Sequence, residues 1–524
     1  MRRHRWRTPP DDGSVLIDPA LPDIEAALRD SREQLDRSDL SICNEPLCRL
    51  RADARVQIGD SASSLYIPQV RQPLISPKAP WILTGHQPEL FHPGVWLKNF
   101  AANAIARRTG GVAVNVVVDT DNVKNDSIRV PVWSDDPRLV RTDHVRFDHV
   151  AGDMPIELWR DRDESQFDRA MVQVQALSAW RRFQPVFETF WRHAQLFRAS
   201  SPHGGNIGLR FAFARRQLES AWGSENVDVL QSDICRTRAF AFFLAGILQD
   251  AVRFHEIYNG CLEDYRQSHR LKSDNHPAPD LQRDNDWIEL PFWIRKNGES
   301  TRSRLFARQH CAVFQLRCGQ TGAAIEAPRE PGALAEFLAA GEWHIRTRAL
   351  TTTLFARLFL ADLFIHGIGG AKYDEATDQI IERFFDMKPP EYAVVTGTLR
   401  LPLQSFPAHR AHHDQLWRWL RDLDWSPEKF IDAPDPATQQ WMKAKRYERD
   451  ALPATAEERK ARFRTLQELT RSLRPLVADK RARVEQFLRD CDLELAANAV
   501  LESREYAFVL HPEEKLRPFL TQWS

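Results

Sequence analysis

The chain has 524 residues, 43% of them hydrophobic, and its 72 Lys and Arg are balanced by 72 Asp and Glu for a formal net charge of zero. That length accommodates roughly two to four structural units of ~150 residues, and the even balance argues against bulk nucleic-acid binding, which shows as a basic excess. No apolar run approaches the ~20 residues that cross a bilayer, and the basic start "MRRHRWRTPPDDGS" leads into no apolar stretch of a secretory signal. The seven cysteines are odd in number, scattered and without metal-knuckle spacing. A cytoplasmic protein that binds neither membrane nor nucleic acid is therefore expected.

Residues 1–80 carry one amphipathic helix, "LPDIEAALRDSREQLDRS", in otherwise irregular sequence that is expected to pack on a core. Trp81 to Leu83 reads as a short buried strand. "PGVWLKNFAANAIARR" follows as a helix, started by Pro93 and ended by Gly110-Gly111. "VAVNVVVD" has apolar residues on both faces, the mark of a strand in a parallel sheet. Strand, helix and strand make a βαβ unit. In open parallel sheets ligands bind outside the carboxyl ends of the strands. Thr84-Gly85-His86 and Asp119-Thr120-Asp121 should therefore face one crevice.

An aromatic-rich helical insert follows, and "NVDVLQSDICRTRAFAFFLAGIL" predicts a strand and then a helix capped by Ser232 or Asp233. Asn297-Gly298 marks a hairpin turn. The stretch "TRALTTTLFARLFLADLF" predicts one long helix leading to a Gly367/Gly369/Gly370 loop between helical segments, and "EYAVVTG" a further strand. Near the C-terminus, Thr455 and Glu458 form a capping box. Leu466, Leu469, Leu473 and Leu476 are spaced 3-4-3, and Val484, Phe487 and Cys491 resume the pattern, which predicts a coiled coil or helical hairpin that Pro475 kinks or divides. The expected architecture is α/β: a parallel-sheet core over 81–430 with inserts near 140–222 and 254–325, a coiled-coil region over 431–500, and 501–524 returning to the core.

The turn "TGHQPELFHPG" can cradle a phosphate or carboxylate on its backbone amides and the following helix N-terminus. His86 and His92 would stabilise charge or move a proton, Thr84, Gly85 and Gln87 would bind ligand, and Lys98 either reaches back to an anion or lies solvated. Asp119 and Asp121 suit a ribose hydroxyl, an amine or Mg²⁺, with Asn122 beside them. "HGIGGAKYDE" offers a second anion loop through Gly369 and Gly370, with Lys372 and Tyr373 as side-chain contacts. The plainer alternatives are a turn whose histidines cap backbone groups, solvated strand-end aspartates, and glycines serving a helix–helix turn. "HRAHHD" at 409–414 fits a polar helix face. Two His and two Asp would also suit Zn²⁺ or Mn²⁺, so a metal-dependent hydrolase competes. Pro88 lies between His86 and His92 and removes helical spacing, so no metal ligands are assigned.

Three stretches in order, "TGHQPELFHPGVWLKNFAANAIA", "VNVVVDTDNVKND" and "RALTTTLFARLFLADLFIHGIGGAKYDEATDQIIERF", resemble the bacillithiol-biosynthesis cysteine-adding enzymes, which are ligases. The resemblance runs from about residue 80 onward. It implies a Rossmann-like core with helical inserts, a homodimer through a C-terminal α-helical coiled coil, and a carbon–nitrogen ligase that joins cysteine to an amino-sugar acceptor, glucosaminyl-malate in the family. The signature loop falls on Thr84, Gly85, His86 and Gln87, the acidic turn on Asp121, and the double glycine on Gly369 and Gly370. This chain has His86 where the family has Gln, His92 for a small residue, and Asp121-Asn122-Val123 for an acidic-His-acidic turn, so a different acceptor is also expected. The cofactor is not fixed by these residues. Amide formation needs an activated acyl group, and a nucleotide such as ATP with Mg²⁺ fits that need. A ligand-binding dimer without catalysis is the third reading.

Overall fold

The computed structural model describes residues 6–62, 75–150, 152–273 and 276–523. They form two compact units: residues up to Val130 with His144–Leu401 and the C-terminal segment from Arg504, and a second made of Pro131–Asp143 with Pro402–Ser503. The second unit thus begins at Pro402, earlier than the residue-431 boundary expected from composition.

The first unit is built on a mixed six-stranded sheet of β1 (Val15–Asp18), β2 (Trp81–His86), β3 (Val112–Val117), β4 (Val227–Leu230), β5 (Leu363–His366) and β6 (Tyr392–Gly397). Their spatial order is β1-β6-β5-β2-β3-β4. Strands β2 to β6 are parallel, and β1 runs antiparallel along the edge of β6. In β3, Ala113, Val114, Val116 and Val117 are all buried, as a strand covered on both faces requires. The chain fills β2, β3 and β4 in one direction and then returns to the other side of β2 for β5 and β6. The strand order therefore reverses between β2 and β5, where the connections leave in opposite directions and open a crevice at the carboxyl ends.

Helix α1 (Pro93–Thr109) joins β2 to β3, with Pro93 in its first turn and Gly110 in the left-handed region (φ 63°) closing it. It is buried nearly all round by Trp96, Leu97, Phe100, Ala101, Ala102 and Ile105. Its first turn runs against the end of β6 so closely that a Cβ on Gly94 would stand 2.1 Å from the Gly397 carbonyl oxygen. Helix α2 (Ala349–Phe355) passes into a π-helical turn, Ala356–Leu360, and β5 begins at Leu363. The single long helix expected there is thus a helix followed by a strand. An apolar run such as Leu363-Phe364-Ile365, buried on both faces, has no periodicity that separates the two. The glycine loop consequently lies between a strand and helix α3 (Ile368–Phe385).

Other local readings change as well. The N-terminal region holds strand β1 and a second helix, Leu47–Ser61, besides the expected Leu21–Asp36. The cap of helix Arg238–Gln249 is Thr237, because Ser232 and Asp233 belong to a separate short turn, Gln231–Ile234. The Asn297-Gly298 turn joins Trp287–Lys296 to Ser303–Gln309 in an antiparallel sheet that also holds Val313–Cys318, Ala324–Pro328 and Trp343–Thr347. Among the described residues no helix is long and apolar enough to cross a membrane.

The second unit contains helices Arg410–Trp425, Pro436–Asp450, Ala456–Leu473 and Ala478–Leu501. Thr455 and Glu458 make the capping box, and Pro475 sits in a 3-10 turn, Arg474–Val477, that divides the last two helices. Leu473 is buried while Leu476 and Phe487 are exposed, so the leucine spacing does not form one continuous buried seam.

The helix Leu47–Ser61 is pinned to the core by charge. Asp362 is 1% exposed and accepts from Arg51 (2.7 Å), lies 2.8 Å from Arg55, and takes the Trp81 backbone N–H at 2.8 Å. Removing one partner of a buried ionic cluster strands the others, at a cost of ~3–5 kcal/mol. Asp362→Ala is expected to lose stability of that order in denaturant unfolding, and a loss below about 1 kcal/mol would contradict the role given to Asp362.

Candidate functional site

The crevice at the order reversal is a cavity of about 760 Å³, within the range of small-molecule sites. Its floor is the carboxyl edge of the sheet: Gly85 and His86 of β2, Val116 of β3, Phe364 and His366 of β5, and Thr396 of β6. Two helix N-termini open onto it, through Gly94 and Val95 of α1 and Ile368, Gly369 and Gly370 of α3. The N-cap residues His92 and Gly367 make no side-chain cap; in α1 Pro93 has no N–H and Val95 donates to the His92 carbonyl at 3.0 Å, so the amides open to an anion are those of Gly94 and of Ile368, Gly369 and Gly370. The opposite wall comes from the antiparallel sheet and α2, with Trp293, Arg302, Arg348, Thr352 and Thr353.

Among the described residues lining the cavity, Lys98, Arg302, Arg348 and Arg504 are basic and only Asp121 is acidic. The arginines have carboxylate partners. Arg302 lies 2.8 Å from Asp121, Arg348 2.7 Å from Glu289, and Arg504 3.2 Å from Glu505. Arg302 and Arg348 also lie over the Trp293 ring, 4.3 and 4.9 Å from its centroid, which fixes both guanidinium groups. Lys98 is different. It is 6% exposed and its Nζ donates to the Gly85 carbonyl at 3.1 Å, with no carboxylate partner among the described residues. Burial pulls its pKa down to about 8.

His86 stacks on Phe91 at 4.2 Å, and its Nδ1 lies 2.6 Å from the Gln87 carbonyl oxygen. A carbonyl only accepts, so Nδ1 carries the proton and Nε2 keeps a lone pair. Burial and then the Lys98 charge hold this imidazole well below its usual range, and it is neutral at pH 7. His92 lies at the rim with Arg504 donating to its Nε2 at 3.1 Å, and burial together with that guanidinium lowers its basicity. Burial opposes the charge on Asp121, but hydrogen bonds from Gln87 (3.0 Å) and Arg302 hold the carboxyl below its usual range.

The crevice therefore gathers Gly85, His86, Gln87, His92, Lys98, Asp121, Gly369 and Gly370 from the residues picked out in the sequence. Others lie elsewhere. Thr84 is fully buried within β2, and the Asp119 carboxylate turns to the Ser232 N–H (2.9 Å) and hydroxyl (2.5 Å) instead of the cavity. Burial and the neighbouring Glu157 raise the Asp119 carboxyl above its normal range. Asn122 does not line the cavity, and Lys372 points to solvent on the outer face of α3. Among the described residues no group of three or more His, Cys, Asp and Glu could hold a metal ion, so the two histidines and two aspartates do not converge as a ligand set.

Residues that sequence reasoning missed are Trp293, Arg302, Arg348, His366 and Arg504. Only the tertiary fold brings these distant segments to the sheet edge, and His366 ends a strand whose first residues carry a helix-like pattern.

Because Lys98 has a lowered pKa in the folded state, that state is penalised while the group is charged. The penalty is full below about pH 8 and fades as pH rises toward the unfolded value of 10.5. Lys98→Met is expected to be more stable than the parent at pH 7, by about 3 kcal/mol, with the gap closing between pH 8 and 10.5. A destabilised Lys98→Met at pH 7 in thermal melts would contradict an unpaired buried ammonium. No protein-family model matches this chain, and no curated protein matches it.

Proposed function

We propose that the first unit is a Rossmann-like core and that its crevice is the active site of a carbon–nitrogen ligase of the cysteine-adding type, acting on an amino-sugar or another amine acceptor. Lys98 carries the reading: an ammonium group kept in a buried position without a carboxylate, beside two uncapped helix N-termini, is placed to meet an anion. The parallel strands, numbered along the chain, lie in the order 3-2-1-4-5, the order of doubly wound nucleotide-handling folds. The resemblance of the loops around Gly85 and Gly370 to the cysteine-adding enzymes supplies the reaction class.

Lys98, the Gly94 amide and the first-turn amides of α3 would bind the phosphate or carboxylate of the acyl-bearing substrate. As a leaving group gains negative charge, Lys98 would stabilise it from a site already shielded from water. Neutral His86 would accept a hydrogen bond from substrate through Nε2. Gln87, Asp121 and Arg302 brace one another at the mouth of β2 and β3, which suits Asp121 to orientation more than to catalysis. The residues fit a phosphate-bearing nucleotide. They offer no all-protein cage for Mg²⁺, an ion that ordinarily retains water and is held through substrate phosphates.

The second unit exposes Trp417, Trp419, Trp425, Tyr447, Phe463 and Phe487. Apolar surface of that extent supports its assignment as the coiled-coil region of a homodimer. Sedimentation at micromolar concentration should give a dimer, and a monomer would remove that assignment. For the activity, protein with ATP, Mg²⁺, cysteine and glucosaminyl-malate or related amino-sugar acids should yield an amide by mass spectrometry. Lys98→Met should lower the yield by about 100-fold or more. No amide with any of these acceptors would defeat the ligase reading.

A further inference from the structure

We propose that His366, oriented by Asp374, is the general base that takes the proton from the attacking amine. The inference rests on the ligase reading and names a residue that reading does not need.

His366 is the last residue of β5 and lines the crevice at the order reversal. Its Nε2 lies 2.7 Å from Asp374 Oδ2, on the second turn of α3. Asp374 is fully buried, and it also accepts from the Thr353 hydroxyl at 2.7 Å and from Arg357 at 3.1 Å. Burial works against its charge, but the Arg357 guanidinium and the hydrogen bonds from His366 and Thr353 hold the carboxyl well below its usual range. Asp374 is therefore an acceptor only, Nε2 carries the proton, and Nδ1 keeps the lone pair.

The second glycine of the loop makes room for that nitrogen. A Cβ on Gly370 would stand 2.7 Å from His366 Nδ1, whereas a Cβ on Gly369 would meet open space. The imidazole thus occupies the volume a side chain at 370 would need, over the first turn of α3. The Phe364 and Tyr392 rings, with centroids 4.4 and 5.3 Å from that of His366, hold its plane. The other two crevice histidines differ in their partners: His86 donates to a backbone carbonyl beside Lys98, and His92 faces Arg504. His366 has a carboxylate to stabilise the imidazolium once formed.

The co-reactant is an acyl phosphate or acyl adenylate. The amine lone pair forms the C–N bond at the acyl carbon. His366 Nδ1 takes the one proton the nitrogen must lose. The C–O bond to phosphorus's oxygen breaks, and the electron pair leaves on the phosphate.

His366→Gln retains an N–H for Asp374 and so separates loss of the base from loss of the fold. In the coupling assay, His366→Gln and His366→Ala should fall by about 10²–10⁴-fold while the amino-sugar acid raises their melting temperature as much as it raises the parent's, and added imidazole should partly restore His366→Ala. Gly370→Ala, which displaces the ring, should lower coupling as the His366 variants do. Coupling by His366→Gln at the parent rate overturns the base while leaving the ligase intact. An absence of coupling by the parent protein overturns the ligase reading, and this step with it.

Discussion

The contact between α1 and the end of β6 sets the geometry on which the crevice depends. Gly94 lets the helix backbone approach the Gly397 carbonyl more closely than any Cβ would permit. The helix N-terminus is thereby held over the carboxyl edge of the sheet, and Lys98, on the next turn, reaches back to the Gly85 carbonyl. A helix standing farther off would leave Lys98 in water, where an ammonium is an ordinary surface charge. Gly370 acts similarly on the facing side, since its missing Cβ makes room for His366. Two absent side chains thus position the two groups to which chemistry is assigned.

A chain with no net charge contains a strongly uneven interior. Arg51 and Arg55 meet Asp362, Arg215 meets Asp228 and Glu219, and Arg357 meets Asp374 and Asp378, all in buried or largely buried settings. Such clusters add little net stability over an apolar core but are costly to break, so they specify one arrangement of the elements they join. The Arg357 cluster links α2, α3 and the His366 ring. Among the described residues the crevice departs from this pattern only at Lys98, where charge is left uncompensated and some stability is forgone. Proteins tolerate that kind of local violation at functional sites.

The βαβ start of the core was legible because Pro93, Gly110 and the doubly apolar β3 are local signals, each sufficient to place an element boundary. The edge on which Gly85, His86 and Asp121 sit followed from it. Side-chain direction did not. Asp119 and Asp121 are two residues apart at the same strand end, yet one turns to Ser232 and the other to Gln87 and Arg302. Those partners come from other segments, invisible to local spacing. The glycine loop is visible in the sequence but reads as a turn between helices, because Leu363–Ile365 has no period that favours a strand. With β5 in the sheet, His366 is a strand-end residue that lines the crevice, and the buried Asp374 stands behind it.

The depressed basicity of Lys98 has a chemical side as well. An amine that is largely protonated in water is a poor nucleophile, but near pH 8 an appreciable share of Lys98 is the free base. A crevice proposed to hold an activated acyl group therefore harbours a competitor to its own acceptor, one able to capture the acyl carbon and end turnover by forming a permanent amide. The bond to Gly85 tethers Nζ against the strand. An occupying phosphate would suppress the hazard further, since a neighbouring anion favours the protonated, unreactive form. The order in which substrates enter would then decide how long each molecule of the protein remains in working condition.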